Sequence, residues 1–278
     1  VADRIGTLGI LAGGGALPRS LIAAATAQGR DVFVIAFNGQ TDSETTEHVP
    51  HLWCRLGASR KLFKALRHNQ VTELVMAGAI RRPGWFELRP DLFGIGLLAR
   101  LRRLGPIGDD GLLRNLGKIF EAEGIRMIGA HEVATDLLAN AGPIGSHQPD
   151  STQLQSIARG RAILQAMGPF DLGQAIVVQD DIVLGIEAVE GTDGLIRRTA
   201  LLARKKAGKP ILVKIAKPQQ DMRFDVPTIG QQTLREVAAA GFAGIAVEAG
   251  RTILLDADIL PNLADELGIF LIAQAGNA

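Results

Sequence analysis

Short apolar runs without polar alternation recur through the first half of the chain: TLGILA (7–12), DVFVIAF (31–37), ELVMAG (73–78) and IRMIGA (125–130). Runs of this kind predict strands buried on both faces, as in a parallel sheet covered by helices. The segments between them have helical spacing. One helix is expected over Leu17–Gln28, where Pro18 in the first turn loses no hydrogen bond. A second is expected from Ser59, as N-cap, to about His68, and a third from Gly108 to Glu123 with Asp109 and Asp110 at its start. The alternation predicts a Rossmann-like domain over residues 1–138. The apolar start of the chain after Arg4 has some features of a secretory leader, but it is read as the first strand–helix–strand unit of the fold.

NAGPIGSHQPDST interrupts the pattern, and residues 139–151 are assigned as a linker. A second α/β domain is expected over 152–278. It would start with a Ser151-capped helix to about Met167 and a hairpin, AIVVQDDIVLGIEAVE, turning at Gln179–Asp181. A helix from about Asp193, the strand ILVKIA, the loop KPQQDMRFDVPTIG, a helix near Gln231, the strand GIAVEAG and a last helix and strand complete the pattern.

Composition narrows the partners. Among 278 residues the net charge is +1 and aromatics make up 4%, with no Tyr, so neither a global basic surface nor base-stacking platforms point to nucleic acid. Cys54 is the only cysteine, which excludes an internal disulfide and favours a reducing, cytoplasmic setting. No apolar run reaches the roughly 20 residues of a membrane span.

Several groupings could carry chemistry. Gly13-Gly14-Gly15 follows the first strand, where backbone N–H groups and a helix start can hold phosphate, or where a tight turn alone needs glycine. It is not a dinucleotide fingerprint, because Pro18 stands at the third glycine position and the second strand ends in Asn38-Gly39 rather than an acid. Arg81, Arg82, Arg89, Arg100, Arg102 and Arg103 interleave with Trp85, Phe86, Leu92, Phe93, Ile95, Leu97 and Leu98. That stretch suits an anionic headgroup with acyl tails, or an amphipathic helix on the core. His48, His51 and Cys54 have ligand-like spacing, but Pro50 interrupts it and a fourth ligand is missing. Arg114, Lys118 and Glu121 read as a solvated helix face.

In the second half, Glu187, Glu190 and Asp193 lie where a strand passes into a helix, with Thr192 or Asp193 as its cap. Lys214, Lys217, Asp221, Arg223 and Asp225 alternate charge at a strand end, which suits neutralisation of a pyrophosphate and the holding of Mg²⁺ or an attacking water. A surface loop with ordinary ion pairs is the plainer alternative.

LAGGGALP, IGDDGLL, IEAVEGTDG and KPQQDMRFDVPTIG, in this order, resemble the UDP-2,3-diacylglucosamine pyrophosphatases of the LpxI type. The resemblance implies hydrolysis of UDP-2,3-diacylglucosamine to UMP and 2,3-diacylglucosamine 1-phosphate in lipid A synthesis, with Mg²⁺ or a similar ion, between two domains. It implies Asp225 as the catalytic residue, with Lys214 and Glu190 beside it and Asp225 and Glu190 as metal ligands. Lys217 would join Lys214 at the diphosphate, and Glu187, Thr192, Asp193, Asp221 and Thr228 would complete the substrate-binding set. Gly13, Gly14 and Asp109 would line the N-terminal face. An amphiphilic substrate further implies transient contact with the inner face of the cytoplasmic membrane. The competing classes are a nucleotide-dependent oxidoreductase or transferase, and a non-catalytic carrier of a nucleotide sugar or lipid.

Overall fold

The computed structural model describes residues 6–81, 90–91, 94–96 and 109–276, without the side chains of Asp109 and Asp110. Most of the arginine- and aromatic-rich stretch, from Arg82 to Arg89 and from Leu97 to Arg103, together with Leu92 and Phe93, lies outside the described residues, as does the expected role of Asp109. The chain divides into two compact units, Val1–Thr135 with Asp221–Asp225, and Asp136–Gln220 with Val226–Ala278.

The first unit is built on β1 (Thr7–Ala12), β2 (Val32–Phe37), β3 (His51–Cys54), β4 (Val71–Ala77) and β5 (Arg126–Met127), all parallel, in the order β3-β2-β1-β4-β5. Helices α1 (Leu17–Ala27), α2 (Ser59–His68), α3 (Asp109–Ala122) and the short α4 (Ala130–Val133) connect the strands. The order reverses between β1 and β4, so their carboxyl ends form the switch point at which open α/β sheets gather ligands. Strand β2 is buried along its whole length, as the unalternating run requires, and on one face Phe33, Ile35 and Phe37 pack with Leu62, Phe63, Leu66 and Phe120 of α2 and α3. Ser59 is already inside α2. Ala58 takes the cap position, and the Asp91 carboxylate accepts from the Arg60 N–H at 2.9 Å, a long-range acid doing what a local serine was expected to do.

The second unit contains β6 (Gly142–Pro143), β7 (Ala175–Gln179), β8 (Ile182–Ile186), β9 (Ile211–Lys214), β11 (Gly244–Glu248) and β13 (Phe270–Gln274), in the order β6-β13-β11-β9-β7-β8, and β10 (Thr228–Ile229) pairs separately with β12 (Ile253–Leu254). Strands β9, β11 and β13 are parallel, while β6, β7 and β8 run against their neighbours. Helix α5 (Ser151–Met167) covers one face through Ile157 and Leu164, and α6 (Gly191–Ala200), α7 (Gln231–Ala239) and α8 (Leu260–Leu267) cover the other through Leu195, Leu234 and Leu263. Asp180 and Asp181 turn the β7–β8 hairpin with φ of 45° and 60°, the left-handed pair that a two-residue hairpin needs.

Two local readings change. Asp150, not Ser151, caps α5: its carboxylate accepts from Gln153 N–H at 2.8 Å, and the Gln153 side chain accepts from Asp150 N–H at 2.9 Å. Within the stretch read as a linker, Gly142–Pro143 forms an edge strand on β13, a place where proline's missing donor is tolerated.

Candidate functional site

The glycine turn sits at the switch point of the first unit, but its donors are committed. Gly13 N–H donates to Ala77 O at 2.7 Å, Gly14 N–H to Ala79 O at 2.9 Å, and Gly15 N–H to the Asp42 carboxylate at 2.8 Å. A Cβ on Gly13 would stand 2.5 Å from Ala79 O, and one on Gly78 2.5 Å from Gly14 O. The glycines are thus required by two loop backbones crossing at van der Waals contact. Asp42 fills the anion position at Gly15, and the N–H groups of the turn are satisfied internally.

Residues 221–225 are held against α3 within the same unit. The Phe224 ring lies on Gly117, where a Cβ would come within 2.3 Å of the ring. Arg223 makes a two-pronged pair with Asp221, with Nη2 to Oδ2 at 2.7 Å and Nε to Oδ1 at 3.0 Å, and reaches Glu121 Oε1 at 2.9 Å. Glu121 is therefore a docking partner rather than a purely solvated residue. The turn closes through Phe224 N–H to Asp221 O at 3.0 Å and Asp225 N–H to the same oxygen at 3.4 Å. Asp225 ends this turn, half-buried, and Phe224 and Arg223 fix the backbone that carries it.

Hydrogen bonds from Arg223 hold the Asp221 carboxyl below the usual carboxylate range. A depressed acid stabilises the folded state above its unfolded pKa of about 3.9 and loses that contribution as pH falls through the lower folded value. Asp221→Asn is accordingly expected to flatten the acid limb of a plot of melting temperature against pH below about pH 4. Identical limbs for the variant and the parent would remove the Arg223 pair from the list of stabilising contacts.

In the second unit, four of the singled-out residues converge at one sheet edge, set by the end of β9, the end of β8 and the start of β7. Glu187 accepts from Gln174 N–H at 2.7 Å and from the Thr192 hydroxyl at 2.7 Å. Lys214 Nζ donates to that hydroxyl at 3.1 Å and to the Thr228 carbonyl at 3.2 Å. Thr192 thus relays between an acid and a cation, from inside the first turn of α6 rather than as its cap. Thr228 contributes its carbonyl, while its hydroxyl donates back to Val226 O at 3.0 Å.

Other candidates have different partners. Glu190 pairs with Arg198 at 2.7 Å, and this hydrogen bond holds its carboxyl below the usual range. Asp193 accepts from Gln232 at 3.3 Å. Lys217 is buried with its Nζ 2.6 Å from Asp171, a residue in the left-handed conformation (φ 53°). Cys54 is buried, which pushes its thiol pKa up, and among the described residues no cluster of three or more His, Cys, Asp and Glu has metal-binding geometry.

Sequence reasoning missed Glu248, a buried acid ending β11 whose carboxylate accepts from Ala216 N–H at 3.3 Å with Arg251 Nη1 at 3.9 Å. Its signal was an acid closing the apolar run GIAVE. Asp42 and Asp171 gave no such signal, because their partners are remote in sequence.

These features define a two-domain α/β protein, with a Rossmann-like parallel sheet in one unit and a charged strand edge in the other. Residues 7–137 match the LpxI N-terminal domain and residues 140–272 the LpxI C-terminal domain. The chain is 37% identical over 270 residues to the UDP-2,3-diacylglucosamine pyrophosphatase LpxI of Caulobacter vibrioides, covering 95% of this chain and 96% of that protein. The chain belongs to the LpxI family. Among solved structures it is similar to the Bordetella bronchiseptica enzyme WbmG in complex with NAD and UDP (13% identity, 98% of this chain and 82% of that one, TM-score 0.35) and to a GalE-like L-threonine dehydrogenase from Cupriavidus necator (10% identity, 98% and 86%, TM-score 0.30).

Proposed function

We propose that this protein is a UDP-2,3-diacylglucosamine pyrophosphatase of lipid A synthesis, releasing UMP and 2,3-diacylglucosamine 1-phosphate. One observation carries this reading: near full-length similarity, at 37% identity, to a protein named for that activity. In the reaction, water adds to one phosphorus, the anhydride P–O bond breaks, and the displaced phosphate leaves with the electron pair. Asp225 orients and deprotonates the water. Lys214, at the end of β9 and backed by Thr192 and Glu187, neutralises charge on the leaving phosphate. Lys217, Asp193, Asp221, Thr228, Gly13, Gly14 and Asp109 remain in the proposed binding set, with Lys217 and the two glycines acting through the backbone they hold in place.

We also propose that a divalent ion, Mg²⁺ by choice, takes part. With no three-ligand cluster among the described residues, the chemistry fits the mode in which one or two carboxylates and the substrate's own phosphates complete the shell. Asp225 fits as a ligand. Glu190 would join it on leaving Arg198. The ion would neutralise pyrophosphate charge. EDTA is expected to abolish release of both products and Mg²⁺ to restore it, followed by mass spectrometry. Undiminished turnover in EDTA would remove the metal while leaving the hydrolase reading intact, whereas no turnover under any metal would remove the hydrolase reading.

A cytoplasmic location with transient contact at the inner membrane face follows from the proposed amphiphilic substrate. Among the described residues, no helix is long and apolar enough to cross a membrane.

A further inference from the structure

At the amino-terminal edge of β9, opposite Lys214, the chain between α6 and β9 concentrates positive charge. Residues 197–209 read RRTALLARKKAGK, with Arg197, Arg198, Arg204, Lys205, Lys206 and Lys209 and no acid, in a protein whose net charge is only +1. Arg198 is paired with Glu190 at 2.7 Å, and Arg204 Nη2 lies 3.6 Å from Asp180. Among the described residues, Arg197, Lys205, Lys206 and Lys209 have no ion pair. Asp181, the other acid of the adjacent hairpin turn, is bonded to the Ser156 hydroxyl at 3.2 Å.

Large apolar side chains stand among these cations. Leu201 is 88% exposed and Leu202 53% exposed, and on the same edge Ile182 follows the hairpin turn with its side chain exposed. Arg197 and Arg198 in the last turn of α6 suit the helix dipole, but the dipole gives no reason to expose two leucines beside them. Nor is the loop a loose solubilising tail. The buried Gln179 accepts from Arg204 N–H at 2.9 Å and donates to the carbonyls of Arg204 at 3.1 Å and Gly208 at 2.6 Å, while Gly208 N–H donates to Asp180 at 3.0 Å. A fixed basic platform studded with leucines is the chemistry of a surface that enters the headgroup layer of an anionic membrane.

We propose that this edge, centred on Leu201, Leu202, Lys205 and Lys206, is a docking surface for an anionic lipid bilayer. Electrostatic attraction brings the surface to the membrane, and the two leucines insert. The inference goes beyond the hydrolase reading, because it needs no substrate and lies at the edge of the sheet away from Lys214.

The test is flotation of the full chain, without substrate, on vesicles of phosphatidylcholine alone and of phosphatidylcholine mixed with phosphatidylglycerol. The protein is expected to float with the anionic vesicles only, with partitioning that falls as salt rises. Lys205→Glu with Lys206→Glu should lower the partition coefficient at least about tenfold, and Leu201→Asn with Leu202→Asn about tenfold, since each removes one of the two contributions. All four side chains are exposed, so melting temperature and turnover of detergent-dispersed substrate should stay at the parent values. No flotation, equal flotation on both vesicle types, or unchanged flotation of both variants would overturn the proposal. So would displacement by an RNA oligomer combined with indifference to the leucine substitutions, which would make the surface a polyanion site. Loss of turnover in the parent protein would count against the hydrolase reading alone.

Discussion

Asp225→Asn is expected to lower kcat by roughly 100- to 10,000-fold, the usual contribution of a positioned acid or base, beyond what any change in melting temperature explains. The substitution keeps the size of the side chain and leaves intact the backbone turn from Asp221 O to the N–H groups of Phe224 and Asp225. On the proposed mechanism it removes the negative charge that would orient water and complete a metal shell. Steady-state turnover of UDP-2,3-diacylglucosamine, with thermal melting followed by circular dichroism, separates the two effects. A variant with near-normal kcat would dismiss Asp225 from the chemistry. If parent and variant both bind substrate and neither turns it over, the protein is a carrier.

The second large effect is expected at the joint that presents Asp225. Phe224 is 9% exposed, and its ring rests on Gly117 of α3. Phe224→Ala should destabilise the first unit by about 3 kcal/mol or more, the lower end of the range for deleting a core aromatic. Gly117→Val acts from the other side. Its Cβ would stand 2.3 Å from the ring, so the 221–225 segment must lift or α3 must shift, at a cost of about 1–3 kcal/mol. Both variants should lose activity beyond what their stability loss explains, because the turn that carries Asp225 loses its support. Chemical denaturation beside kcat under conditions where both variants are folded checks this. Full kcat in folded Gly117→Val would mean that the packing of Phe224 does not position the acid.

Much of this architecture is legible in the amino-acid order. Unalternating apolar runs gave β1, β2 and β4 their place in a parallel sheet, and the polar break between VV and IVL marked a hairpin turn at Gln179–Asp181, which the fold makes at Asp180 and Asp181. Local rules suffice there, because burial on two faces excludes polar residues and a two-residue turn requires left-handed dihedrals. Capping was less legible: Ser59 and Ser151 look like caps, but Asp91 and Asp150 do the work.

The candidate site divides in the same way. The order of residues marked out Glu187 and Lys214 as charged groups at strand ends and Thr192 as a helix cap, Thr228 entered only through the family resemblance, and the fold joins the four through hydrogen bonds. Only the tertiary structure decided that the charged run from Lys214 to Asp225 serves two units, with Lys217 anchored on Asp171 and Arg223 on Asp221 and Glu121. It also decided that the three glycines have their N–H groups occupied by Ala77, Ala79 and Asp42. The reason is physical. Whether a residue is apolar, flexible or charged is a local property and can be read in order along the chain. Which partner satisfies a backbone N–H or a guanidinium depends on which distant segment the folded backbone brings within about 3 Å, and that follows from packing.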